Sequence, residues 1–219
     1  MDPSQTELLI RTLFIGFVSV VIQLPFALLI GRLLARAEFR GKAVVQSVLV
    51  LPMFLPPVAV GLMLLLAMAP DGPMGGLFSG FLFSRNAAII AASVVSFPLL
   101  LRHVQEGFAA VPLRLSQVSR SLGQSAWSTF WRIELPLART GVAVGVLLSF
   151  ARGVSEYGAT SVIAGVIPGE TETLATGLMR RLNSGDDSGA IMLAVLSLVV
   201  GFGAVLISEL AMKNRGGRG

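Results

Sequence analysis

Cysteine is absent from the 219 residues, which excludes a disulfide framework, a thiolate metal site and a cysteine nucleophile. Histidine occurs once, as His103, and tyrosine once, as Tyr157. A lone imidazole makes neither a metal site nor a triad, and beside Arg102 at the end of an apolar run His103 reads as an interfacial residue. No metal ligand set and no catalytic constellation is found. Charge is scarce as well: 13% of residues are Asp, Glu, Lys or Arg, about half of the roughly 25% usual in globular chains. A Gly-x-x-x-x-Gly-Lys-Ser/Thr phosphate loop is missing, since Gly41-Lys42 lacks the preceding glycine and the hydroxyl. The chain is therefore expected not to bind ATP by itself. Its start, Met1-Asp2-Pro3-Ser4-Gln5-Thr6-Glu7, lacks the basic opening and small-residue cleavage site of a signal peptide, so the first apolar segment is expected to be retained.

What fills the sequence instead is apolar. Hydrophobic residues make up 54% and the mean hydropathy is +0.80, which is incompatible with both a water-covered surface and disorder. The bilayer is the natural solvent. Net charge is +5 and the pI about 11.0, but the basic residues flank apolar runs as orientation signals rather than forming a nucleic-acid surface. A crossing helix needs about 20 apolar residues. Thr12 to Gly31, Ala43 to Pro70 and Ser188 to Ser208 are uncharged throughout. Asn86 to Leu101 is shorter, and the run from Leu135 to Tyr157 carries Arg139, Arg152 and Glu156. The reading is an all-α membrane domain over residues 8–210, with five spans at about 9–34, 43–69, 86–108, 136–158 and 188–209 and a loop at 111–135.

Orientation follows from the loops. Arg32, Arg36, Arg40 and Lys42 lie between spans one and two; Arg102, Arg114, Arg120, Arg132 and Arg139 lie between three and four; Lys213, Arg215 and Arg218 form the tail. Opposite them are Arg11, Arg85, Arg180 and Arg181, with Asp2, Glu7, Asp71, Glu170, Glu172, Asp186 and Asp187. The positive-inside rule puts the N-terminus outside and the C-terminus in the cytoplasm. Within span two, Pro52, Pro56 and Pro57 remove backbone donors. Such a break survives in lipid only where protein or a water-lined cavity satisfies the freed carbonyls, so Pro56 and Pro57 mark either a kinked packing helix or a pathway helix.

The loop from Val111 to Pro136 carries the most information. Leu115, Val118 and Leu122 share one face of a short helix, Gly123 interrupts, and Trp127, Phe130 and Trp131 follow at helical spacing. Two short amphipathic pieces joined at a glycine suit docking to a partner or to the membrane interface. Glycine at such a point tolerates φ > 0, either as a sharp turn or as a helix C-cap.

Gly123, Ile133, Leu135 and Pro136 are in register with the cytoplasmic signature of bacterial ABC importer permeases: Glu-Ala-Ala, three residues, Gly, nine residues, Ile, one residue, Leu-Pro. Gln117-Val118-Ser119 stands where the family has Glu-Ala-Ala. The resemblance implies the permease fold of type I ABC importers and an ATPase-coupling loop comprising Gln117, Arg120, Ser121, Leu122, Gly123, Trp127, Arg132, Ile133, Leu135 and Pro136. The runs Leu51 to Val58, Phe150 to Thr160 and Ile167 to Thr171 look like molybdate permeases, with Tyr157 where those carry phenylalanine. Sulfate permeases are similar but longer, with an additional N-terminal span. The resemblance implies import of molybdate, with tungstate as a close analogue, across a bacterial inner membrane. It also implies a second copy of the chain, two ATPase subunits that bind ATP and Mg, and an extracytoplasmic molybdate-binding protein; no cofactor is expected in this chain.

Arg152 and Glu156, four residues apart, are suited to pair on one helix face near the outer interface. A carboxylate repels an oxyanion, so Glu156 suits a gate or a helix-end lock, whereas Ser155 and Thr160 offer neutral hydroxyls. With Pro56 and Pro57 these are the candidate pathway residues. The alternatives are a sulfate or thiosulfate permease of the same mechanism, an ion-gradient-driven transporter, for which neither inverted repeats nor mid-bilayer acids are found, and a membrane enzyme, for which no polar cluster converges.

Overall fold

A computed structural model describes residues 3–216, with side chains for 5–210. Asp2 and Arg218 therefore lie outside the described residues, and Lys213 and Arg215 outside the described side chains. The described residues are all helical or irregular, without strands.

Helix α1 (Pro3–Arg36) runs unbroken through Pro25. Helix α2 (Lys42–Val50) continues into a 3-10 turn at Leu51–Met53 and is followed by α3 (Pro57–Met68). The two halves of this second span are bent by 107°, so it is a broken pair of half-helices rather than the single kinked span expected over 43–69. The cause is local: a residue preceding proline is driven out of the helical region, and Pro56, ahead of Pro57, sits at φ −55° and ψ 130°. A short α4 (Gly75–Phe78) leads to α5 (Arg85–Ala109), whose start is capped by Ser84 Oγ accepting from Asn86 N at 3.2 Å.

Next come α6 (Leu113–Ser121), α7 (Ala126–Thr129), a π turn at Phe130–Glu134 and α8 (Leu135–Val154). From Ala126 to Val154 the last three form one membrane-length helix, so residues 126–135 of the expected loop are the beginning of span four. That span also stops at Val154, leaving Glu156 beyond its end. Helix α9 (Gly158–Ile163), α10 (Leu174–Asn183) and α11 (Asp187–Gly216) complete the chain. Among the described residues four helices are long and apolar enough to cross a membrane, five if the broken pair is one span.

The core is built by α1, α5 and α8 through small residues, as membrane interiors favour. Ala87, Ala88, Ala91 and Ala92 of α5 are buried, and a Cβ on Gly141 of α8 would stand 2.6 Å from the Gly107 Cα of α5. Two polar contacts tie this trio: Gln23 Nε2 donates to Ser96 Oγ at 3.0 Å, and Ser149 Oγ to the Ser96 carbonyl at 3.4 Å. At the other end α10 is pinned to α1, where Leu174 N donates to Thr12 Oγ1 at 2.9 Å. By contrast Ile191, Leu198 and Phe202 of α11 point outward, as a lipid-facing helix requires.

Candidate functional site

The loop between α5 and α8 folds as an inside-out amphipathic lever. Helix α6 turns the hydroxyls of Ser116 and Ser119 inward. Ser119, buried, shares a 2.9 Å hydrogen bond with Thr129 Oγ1 of α7, and Ser116 Oγ donates to Glu134 Oε1 at 2.8 Å. Its apolar residues face out: Leu113, Leu115, Val118 and Leu122 are exposed, Leu122 at 75%. Gln117, Arg120 and Ser121 are exposed on the same short helix. An apolar face left exposed on a helix held by polar contacts is the kind of surface that marks an interaction site.

Gly123 ends α6 in the left-handed region, at φ +81°. Gly123 N donates to the Arg120 carbonyl at 3.0 Å and Gln124 N to the Ser119 carbonyl at 3.2 Å. This pair of bonds is the Schellman arrangement, so the sharp turn and the C-cap are one and the same feature. Ser125 then caps α7 by accepting from Ser128 N at 3.1 Å. Ile133 lies within the π turn, and the cause of that turn is Pro136, which supplies no N–H for the Arg132 carbonyl and would crowd it in an α-helix. Widening the turn so that Leu135 N–H reaches the Phe130 carbonyl relieves the crowding. Trp127, at 71% exposure, stacks on Phe130 and meets Trp131 edge-on at 5.5 Å between centroids; Arg132 is exposed.

Sequence reasoning missed Glu134. It is 2% exposed, and its carboxylate is shared between Ser116 and the Arg32 Nε at the end of α1. The Arg32 guanidinium also lies 5.6 Å from the Phe130 ring centroid. One carboxylate thus joins α1, α6 and the start of α8. The available signal was that Glu134 is the only acid between Glu106 and Glu156, in a loop otherwise basic.

At the opposite end the chain brings α3 against α9. A Cβ on Gly61 of α3 would lie 2.8 Å from the Ala159 Cα of α9, and one on Gly158 would lie 2.8 Å from the Pro57 Cβ. Pro57 therefore meets the start of α9, with Pro56 as the extended residue capping α3. Glu156, 2% exposed, has both oxygens engaged: Oε1 accepts from Ala159 N at 2.8 Å and Oε2 pairs with Arg152 Nη1 at 2.8 Å. Thr160 is buried beside it, while Ser155 is exposed and turns its hydroxyl onto the Arg152 carbonyl at 3.1 Å. The Ile167-to-Thr171 run closes as a tight turn, with Ile167 N donating to Thr171 Oγ1 at 3.0 Å. Arg152, Glu156, Pro57 and Thr160 thus converge on the α3–α9 contact. Among the described residues no group of three or more His, Cys, Asp or Glu is arranged to hold a metal ion.

Residues 23–212 match the family described as binding-protein-dependent transport system inner membrane component. The chain is 38% identical over 214 residues to the molybdenum transport system permease protein ModB of Escherichia coli strain K12, covering 95% of this chain and 93% of that one. It is 31% identical over 209 residues to the sulfate transport system permease protein CysW of Synechocystis, covering 94% of this chain and 76% of that longer one. Among solved structures it resembles a chain of the MetNI methionine ABC transporter in inward-facing conformations, with a TM-score of 0.68 at 19% identity over 96% of this chain and 99% of that one.

Proposed function

The chain belongs to the family of binding-protein-dependent transport system inner membrane components, and from that premise we propose that it is the permease subunit of an ATP-driven importer carrying molybdate into the cytoplasm. Substrate class follows from the kinship: identity to the molybdenum permease is 38% over almost the whole of both chains, against 31% to the sulfate permease. Tungstate, a near-isostere of molybdate, shares the route.

The observation that carries the mechanism is the outward apolar face of α6 above an inward hydroxyl face. A groove on each of two separate ATPase subunits receives one such helix, from Gln117 to Leu122, with Arg120 and Arg132 flanking the contact. ATP and Mg are bound by the ATPases. Displacement of α6 passes through Ser116 and Glu134 to Arg32 on α1, and through the Gly123 turn and the Trp127 cluster into α8 at Ile133, Leu135 and Pro136. Because the tie is made of hydrogen bonds and a charged pair, it moves as a unit rather than stretching.

Two copies related by a two-fold axis enclose the route, since five spans are too few to do so alone. The N-terminus faces outside and the C-terminus the cytoplasm, as the distribution of arginines requires. Near the outer end α3 and α9, with Pro56, Pro57 and the Arg152–Glu156 pair, form the gate. Glu156 serves there as a lock, because its oxygens are already committed and its charge repels an oxyanion. Ser155, exposed with its hydroxyl resting on the Arg152 carbonyl, and the buried Thr160 are the neutral polar groups there. An extracytoplasmic molybdate-binding protein delivers the anion and supplies most of the selectivity.

The test is ATP hydrolysis by the permease and its ATPase in liposomes, with the binding protein added empty, molybdate-loaded or sulfate-loaded. Stimulation by the molybdate-loaded protein is expected. Stimulation by sulfate alone keeps the importer and overturns the substrate; failure of the ATPase to co-purify overturns the coupling loop.

A further inference from the structure

We propose that the groove between α1 and the α7–π segment seats one acyl chain of an anionic phospholipid, with its phosphate on Arg32. The groove is a cavity of about 540 Å³. Its α1 wall is a stripe of Val21, Leu24, Pro25, Leu28, Leu29 and Arg32, which follows one face of the helix at helical spacing. From Val21 to Arg32 that stripe rises ~16 Å, which is about half of a roughly 30 Å hydrocarbon core, the depth of a single leaflet. Trp127, Phe130 and Trp131 make the facing wall, and tryptophan belongs at headgroup level.

Charge is placed where a headgroup would stand. Among the described residues Arg32 is the only charged one lining the groove, and it is the last of the α1 stripe. Glu134 occupies its Nε alone, and the side chain stays 35% exposed, leaving the Nη groups to donate to a phosphate, the oxyanion that a guanidinium fork matches best. Arg36 follows one turn on, and its Nε and Nη2 have no hydrogen-bond partner among the described residues. Two guanidiniums against one carboxylate leave a local excess of positive charge, which selects an anionic over a zwitterionic headgroup. A second copy of this chain covering the groove would have to bring its own acid to Arg32, and an ATPase cannot reach a leaflet deep; the membrane already supplies both chain and phosphate.

Trp127 and Trp131 are the only tryptophans in the chain, so intrinsic emission reports the groove directly. The full-length protein in detergent micelles is titrated with phosphatidylglycerol or phosphatidylcholine brominated at mid-chain. Saturable quenching is expected, half-complete at a phosphatidylglycerol concentration about fivefold below that of phosphatidylcholine, the fold-change of one arginine contact to an anionic lipid. Arg32→Gln should abolish that preference. Ala126→Phe, at an exposed position on the rim, should cut quenching by both lipids without touching the Glu134 tie. Non-saturating quenching identical for both lipids in all three proteins overturns the site. So does disulfide formation between two Leu29→Cys chains, which would seat a second copy there instead.

Discussion

At Gly123 an added methyl would meet nothing within 4 Å, yet φ is +81°; the position rejects side chains for its backbone alone. Gly123→Ala should cost about 1–2 kcal/mol, read by thermal unfolding in detergent, and should lower stimulation of ATP hydrolysis by loaded binding protein more than it lowers ATPase binding. Glu134→Gln keeps the volume but removes the charge that holds Arg32. A loss of about 1–2 kcal/mol is expected, near the low end for charge-assisted bonds because Arg32 is partly solvated, together with ATP hydrolysis less tightly coupled to molybdate uptake into liposomes. Outside the spans, the Gly189 backbone N–H at 3.0 Å and the Ser188 hydroxyl at 3.1 Å hold the Asp186 carboxyl below its usual value, with Arg181 adding to the effect. A depressed carboxyl stabilises the fold above its unfolded pKa and loses that contribution as pH falls through the folded one. Melting temperature below pH 4 should therefore fall more steeply in the native chain than in Asp186→Asn. These residues differ in legibility. Gly123, Ile133, Leu135 and Pro136 are readable because a turn and a missing donor are written in residue type. Glu134 is not, because its partner Arg32 lies 102 positions away and no local spacing reveals the pair.

Elements obey the same distinction between local cause and distant contact. Composition and uncharged length reveal the long helices, and the prolines at 52, 56 and 57 reveal that span two is interrupted. The angle of 107° was not legible, since it depends on where α3 finds its packing partner. That partner is α9, a six-residue helix too short to register as an element by periodicity. The expected end of span four near Tyr157 overshot for a related reason: apolar composition continues past Val154, but Glu156 turns back to bind the first turn of α9. At the α3–α9 contact Gly61 faces backbone rather than a flexible side chain, the Ala159 Cα at 2.8 Å from a Cβ. Gly61→Ala should force α3 and α9 apart and destabilise by about 1–3 kcal/mol, as overpacking does. In liposomes the same variant should leak or stall molybdate flux while ATPase binding at the far end persists, which separates gate damage from loss of assembly.

Taken whole, the molecule is anchored at both ends of α1: to Leu174 through Thr12 on one side and to Glu134 through Arg32 on the other. Between those anchors the α1–α5–α8 core is fastened by small residues and buried hydroxyls, whereas α11 offers apolar side chains to lipid. Membrane residence and helix content were open to reading from the amino acids. How the loop is bolted to the first helix required the fold. The outward leucines of α6 also bear on the life of the protein in the cell. On the proposed topology, a copy synthesised without its ATPase leaves the exposed Leu113, Val118 and Leu122 facing the cytosol, the kind of surface that quality-control machinery takes as a sign of an unfinished product. Orphan chains should be cleared faster than assembled ones, so that supply of the ATPase sets the abundance of the permease. Pulse-chase half-lives should lengthen when the ATPase is co-expressed, and Leu122→Ser should prolong the life of the orphan.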